Sequence, residues 1–137
     1  MRGEAIVKRS AATLITSRRI LYYFKTGTSS IYLFNLEKME FVAESLKYKG
    51  PYPGHPKYFN TVQLSGKDEI YMIGGLLESK NPNEYNLLPH CKMIDANLII
   101  TEKAMMKTPR CSMSIAVIKD RWILAIGGCI AKNKPCV

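Results

Sequence analysis

The sequence predicts an all-β fold assembled from four-stranded antiparallel units. Three observations predict it. Residues 56–75 (PKYFNTVQLSGKDEIYMIGG) and 109–128 (PRCSMSIAVIKDRWILAIGG) align without a gap at an offset of 53 residues, so the chain repeats itself. Its apolar runs are four to six residues long and end in turn residues, which is the length and punctuation of strands. No segment sustains a 3.6-residue apolar period between helix caps.

The elements follow in chain order. Residues 11–24 (AATLITSRRILYYF) read as strand, basic turn and apolar strand, a weaker first copy of the repeat without its glycine pair. Residues 30–35 (SIYLFN) and 39–44 (MEFVAE) form a hairpin turning at Leu36-Glu37-Lys38. In the second copy, residues 59–64 lead through Ser65-Gly66-Lys67-Asp68 into an apolar run that ends at Gly74-Gly75. Residues 92–95 and 98–101 form the next hairpin, turning at Ala96-Asn97. In the third copy, residues 113–118 turn at Lys119-Asp120-Arg121 into a run that ends at Gly127-Gly128. The runs before the glycines lack polar alternation, so these strands are expected to be buried on both faces. Glycine has no Cβ, so backbone can pack closely at the pairs. A unit of about four strands in roughly 50 residues is the blade pattern of a β-propeller.

At these residues the chain resembles the Kelch repeat family. The motif is an apolar strand followed by Gly74-Gly75 or Gly127-Gly128, and residues 106–128 resemble a Kelch strand pair most closely. The resemblance covers most of residues 11–128. It implies a propeller acting mainly as a protein-binding platform, with a Tyr and a Trp downstream of the glycines packing between blades. Tyr85 stands near the tyrosine position, but the single Trp, Trp122, precedes a glycine pair, and Phe24-Lys25 replaces the glycines of the first copy. The domain reading is a basic N-terminal extension over 1–10 and a partial Kelch-like propeller over 11–137. The propeller divides into a degenerate blade at about 11–44, a blade at about 57–101 and an incomplete blade at about 111–137. A closed propeller has at least about four blades. The ring is therefore incomplete, and a partial ring has open β edges. Three explanations stand: a fragment of a longer product, several copies in one ring, or a larger partner covering the edges.

Composition narrows the function classes. With 47% hydrophobic and 23% charged residues the chain has the profile of a folded protein. No apolar run reaches the roughly 18–20 residues of a membrane-spanning helix. The apolar stretch after the basic N-terminus is too short for a secretory core, and no C-x-x-C joins Cys91, Cys111, Cys129 and Cys136. Four reduced thiols and a cytoplasmic location are therefore expected. His55 and His90 both adjoin prolines and have no local co-ligands, so no metal is expected. No G-x-S-x-G, G-x-x-x-x-G-K-[ST] or G-x-G-x-x-G occurs. Neither an enzyme nor a cofactor is expected.

The site expectation rests on loops and charge. In antiparallel units the connections alternate between two ends, and the long ones share one end. That end carries ten Lys and Arg against Glu78, Glu84 and Glu102, while the short-turn end carries six against four carboxylates. The net charge of +9 is thus concentrated on the long loops. The richest is LKYKGPYPGHPKYF at 46–59, where Lys47, Tyr48, Lys49, Tyr52, Lys57 and Tyr58 interleave among three prolines. Together with Lys107 and Arg110 they form the expected partner-binding set. Rigid loops lose little entropy on binding, and tyrosines with cationic neighbours serve as interface anchors. An acidic protein surface is the expected partner. A nucleic-acid or ribonucleoprotein role is the alternative, because tyrosines also stack on bases.

Overall fold

The computed structural model describes residues 11–15, 19–45, 47–48, 54–64, 67–78 and 85–130. The extension at 1–10, Lys49, Tyr52 and residues 131–137 lie outside them. Every regular element among the described residues is a β-strand, and all strand pairs are antiparallel. No helix of the described residues is long and apolar enough to cross a membrane.

The first sheet is a meander of β1 (Ala11–Ile15), β2 (Ile20–Phe24), β3 (Ser30–Asn35) and β4 (Glu40–Ser45). β2 is apolar throughout and β3 over residues 31–34, and successive side chains point to opposite faces, so both faces are apolar and cross-strand partners share a face. Phe24 opposes Ile31 and Tyr22 opposes Leu33 on the inner face. Tyr23 opposes Tyr32 and Leu21 opposes Phe34 on the outer face. Asn35 closes the β3–β4 turn, its Oδ1 accepting the backbone N–H groups of Glu37 and Lys38.

The second sheet contains β5 (Asn60–Gln63), β6 (Ile70–Ile73), β9 (Cys91–Ile94) and β10 (Ile100–Glu102), in the order β10-β9-β6-β5. Between β6 and β9 the chain makes a separate hairpin, β7 (Leu76–Glu78) with β8 (Tyr85–Leu87). The sequence presents residues 76–89 as a long connection, and this hairpin within it is a correction. Its strands are too short to show a period. The core lies between the two sheets: Tyr22, Phe24 and Ile31 pack with Phe59, Ile70, Met72, Ile94, Leu98 and Ile100. Phe24 meets Phe59 edge to face at 5.8 Å.

Among the described residues the third sheet is a two-stranded hairpin, β11 (Ser114–Ile118) with β12 (Trp122–Ile126). Arg121 N–H bonds to the Ile118 carbonyl across Lys119 and Asp120, whose φ of 50° and 49° make the turn type I′. This turn is shorter than the one between β5 and β6, and it moves the register. At the 53-residue offset Thr61 aligns with Ser114, and Thr61 opposes Met72. Ser114 instead opposes Ile126, which aligns with Ile73. A one-residue slip turns a strand over, so aligned residues of β5 and β11 point to opposite faces. The expectation that the run before each glycine pair is buried on both faces holds only in part. Ile70, Met72 and Ile73 are buried, but Trp122, Leu124 and Ile126 are exposed.

Candidate functional site

The long connections do gather. Their backbones are joined to one another in series. Gly27 N–H bonds to the His55 carbonyl at 2.9 Å, and His55 N–H returns to Thr28 at 2.8 Å. Lys57 and Leu76 exchange two bonds of 2.9 and 2.8 Å. Gly75 N–H reaches the Arg110 carbonyl at 3.0 Å, and Ser112 N–H reaches Tyr58 at 2.9 Å. Cys111 and Cys129 exchange a further pair. The bonds at Gly27–His55, Gly75–Arg110 and Tyr58–Ser112 tie neighbouring units together, and those at Lys57–Leu76 and Cys111–Cys129 close loops within a unit.

The glycine pairs make these clasps fit. At Gly75, with φ of 108°, a Cβ would lie 2.9 Å from both Pro56 and Phe59. At Gly74 a Cβ would run into the Arg110 carbonyl oxygen, and at Gly128 into that of Cys111. The close approach expected of the pairs is therefore met by neighbouring loop backbone.

His55 anchors the first clasp from below. It is 1% exposed, its Nε2 donates to the Ser30 carbonyl at 2.9 Å, and its ring lies edge-on to Phe24. Burial lowers its pKa to about 4, partly opposed by the Ser30 bond, so the imidazole is neutral near pH 7. A polar residue between prolines carries no sequence signal of such burial.

The expected partner-binding residues divide into two groups. Lys47 and Lys107 are exposed, Tyr58 is 45% exposed and Lys57 is half-buried. Lys57, Tyr58 and Lys107 stand in the long connections, whereas Lys47 lies against β10 beside Ile99. Tyr48 and Arg110 are used within the chain. Tyr48 Oη donates to Glu102 at 2.8 Å, and Lys92 Nζ lies 3.5 Å from the same carboxylate and 5.4 Å from the Tyr48 ring. The Glu102 hydrogen bond, with burial and the carboxylate charge, holds the Tyr48 phenol above its ordinary pKa. Lys47 continues this attachment: its N–H and carbonyl bond to Leu98 and Ile100 at 2.9 Å each, closing the outer edge of β10. Arg110 Nη1 donates to the Gly127 carbonyl at 3.0 Å.

Beneath the clasps lies a cavity of about 70 Å³, lined by Pro56, Met72, Gly74, Leu88, His90 and Lys92 among others. His90 Nδ1 is buried there without a hydrogen-bond partner. Among the described residues no three His, Cys, Asp or Glu side chains come together as a metal site. Cys91 and Cys111 are free thiols, and burial raises the Cys91 pKa. Cys129 is disulfide-bonded, which corrects the expectation of four reduced thiols.

No family model matches the sequence, and no curated protein matches it. In fold, 65 chains of solved structure match. YjhT is among them, with a TM-score of 0.67 over 91% of this chain at 11% identity. The likeness is one of fold. The chain spans 35% of the YjhT chain.

Proposed function

We propose that the chain is a segment of a Kelch-type β-propeller that acts as a non-catalytic protein-interaction module. Its loop face docks an acidic surface of a partner protein. One observation carries the reading: connections from three sheets are hydrogen-bonded to one another, and Lys57, Tyr58 and Lys107 lie on them. The propeller half of the reading is supported by strand placement, since β1 and β11, each the first strand of its unit, both run beside β5. The fold likeness to YjhT is compatible with it. The clasps fix the backbone of this face in advance, so binding orders little more than side chains.

The test is a binding titration with an acidic peptide and with a single-stranded oligonucleotide, each at low and at physiological salt. The double variant Lys57→Glu, Lys107→Glu serves as control. We expect the peptide to bind and the variant to lose about tenfold or more in affinity. Tight oligonucleotide binding with a steep salt slope would instead favour the nucleic-acid alternative. Unchanged peptide binding by the variant would remove the loop face from the argument.

A further inference from the structure

We infer that the cavity beneath the clasps receives one acidic side chain, aspartate or glutamate, from a partner protein. His90 and Lys92 hold its carboxylate, and the apolar wall covers its methylene groups. The inference rests on the docking reading above and names the point at which the acidic surface is anchored.

The wall of the cavity has two sources. Pro56, Leu77 and Leu88 come from the long connections, whereas Met72, His90 and Lys92 belong to β6, to β9 or to the residue before β9. The ladder between β6 and β9 runs on past the strand ends, because Gly74 N–H bonds to the His90 carbonyl at 2.9 Å. His90 and Lys92 are two residues apart on this extended chain, so their side chains leave it on one side. Lys92 opposes Met72, which packs toward the first sheet, so the cavity lies on the face where the first and second sheets meet.

The chemistry of the wall selects a carboxylate. His90 Nδ1 is buried with no hydrogen-bond partner, which costs free energy that a ligand oxygen restores. The tautomer protonated on Nδ1 donates to that oxygen. The Lys92 side chain is 16% exposed, and its ammonium lies 3.5 Å from Glu102 and 5.4 Å from the Tyr48 ring. An ammonium has three N–H donors, so Lys92 holds Glu102 on one side and a ligand oxygen on another. Burial lowers the His55 pKa and the Lys92 charge adds to that lowering, so the charge reaches the connection that holds His55. The space of about 70 Å³ takes about four or five groups of water size, which matches the methylene and carboxylate at the tip of one acidic side chain. A phosphoryl group brings more oxygens than His90 and Lys92 can pair, and Pro56, Met72, Leu77 and Leu88 around them are apolar.

The test is nuclear magnetic resonance of the full chain carrying nitrogen-15 histidine. The chain has two histidines, so long-range proton–nitrogen spectra show two imidazoles, which His55→Phe assigns. The probes are sodium propionate, an acidic peptide, and the same peptide with each Glu replaced in turn by Gln. Sodium chloride at equal ionic strength is the blank. We expect propionate and the peptide both to move the His90 Nδ1 signal and to saturate. His90→Leu should bind the peptide about tenfold more weakly or worse. One Glu-to-Gln replacement should weaken wild-type binding by a similar factor and add little in His90→Leu, because the two changes remove the same contact. The wild-type shift needs no variant, so the test survives a His90→Leu chain that fails to fold. A His90 signal that neither probe moves, or that sodium chloride moves equally, would overturn the inference. A peptide that binds without moving His90 would overturn it and leave the docking reading standing. Propionate moving His90 while no peptide binds would overturn the partner assignment and the docking reading together, leaving a site for free small carboxylates.

Discussion

β6 and β12 occupy equivalent places in the repeat and end in the same glycine pair, yet they sit in different surroundings. Ile70, Met72 and Ile73 are buried, with β9 on one edge and the first sheet across one face. On β12 the exposed and half-buried positions alternate from Trp122 to Ile126, and among the described residues only β11 pairs with it. Two strands with nearly the same hydrophobicity therefore carry different shares of the stability. What a strand contributes depends on which neighbours cover it, and its own sequence says little about that.

Truncation gives the sharpest form of this contrast. Ile70→Ala leaves a hole in a fully packed core and is expected to cost about 3 kcal/mol. Leu124→Ala, at 46% exposure, is expected to cost less than about 1 kcal/mol in the monomer. Urea denaturation of both variants measures the difference. Equal losses would mean that β12 is covered in solution.

Acid separates the two regions next. The buried His55 belongs to the core between the first and second sheets, and its pKa of about 4 lies below the ordinary value of 6.5. Stability from the neutral imidazole is full above pH 6.5. It declines as the pH falls toward 4, because the unfolded chain takes up a proton that the folded chain refuses. The decline should approach about 3 kcal/mol. Denaturation midpoints at a series of pH values, with His55→Phe as the flat control, would reveal it. A wild-type slope no steeper than the variant's would remove His55 from the acid response.

The smallest effect concerns the clasps. Gly75→Ala meets both a left-handed φ and the Pro56 and Phe59 side chains, and is expected to cost about 2 kcal/mol. Gly27→Ala has a positive φ but open space, and should cost about 1 kcal/mol. Thermal unfolding of the pair isolates the close approach from the backbone preference.

Much of the sheet architecture was legible in the sequence because each long strand is a local statement. Residues 70–73 and 122–126 are apolar runs between turn residues, and the first four strands are apolar-rich runs set off by the basic turn at Arg18-Arg19 and the turn at Leu36-Glu37-Lys38. Register was less legible. The gapless alignment matches residue types, whereas the slip in β11 comes from turn geometry at Lys119 and Asp120. The β7–β8 hairpin was hidden by the brevity of its strands. Of the site, the convergence of the long loops followed from strand parity alone. The inward use of Tyr48 depends on Glu102, 54 residues away, and no local pattern encodes such a pair.

The β7–β8 insertion also has a kinetic consequence. In the first sheet every strand pairs with its sequence neighbour across four or five residues, so each step closes a small loop and fixes few residues before contacts form. In the second sheet β6 must wait for β9 across the whole of residues 74–90. Closing a longer loop costs more chain entropy before any contact repays it, and low contact order favours speed. The first sheet is thus expected to form ahead of the β6–β9 pairing, and the Lys47 bonds then lie along the outer edge of β10.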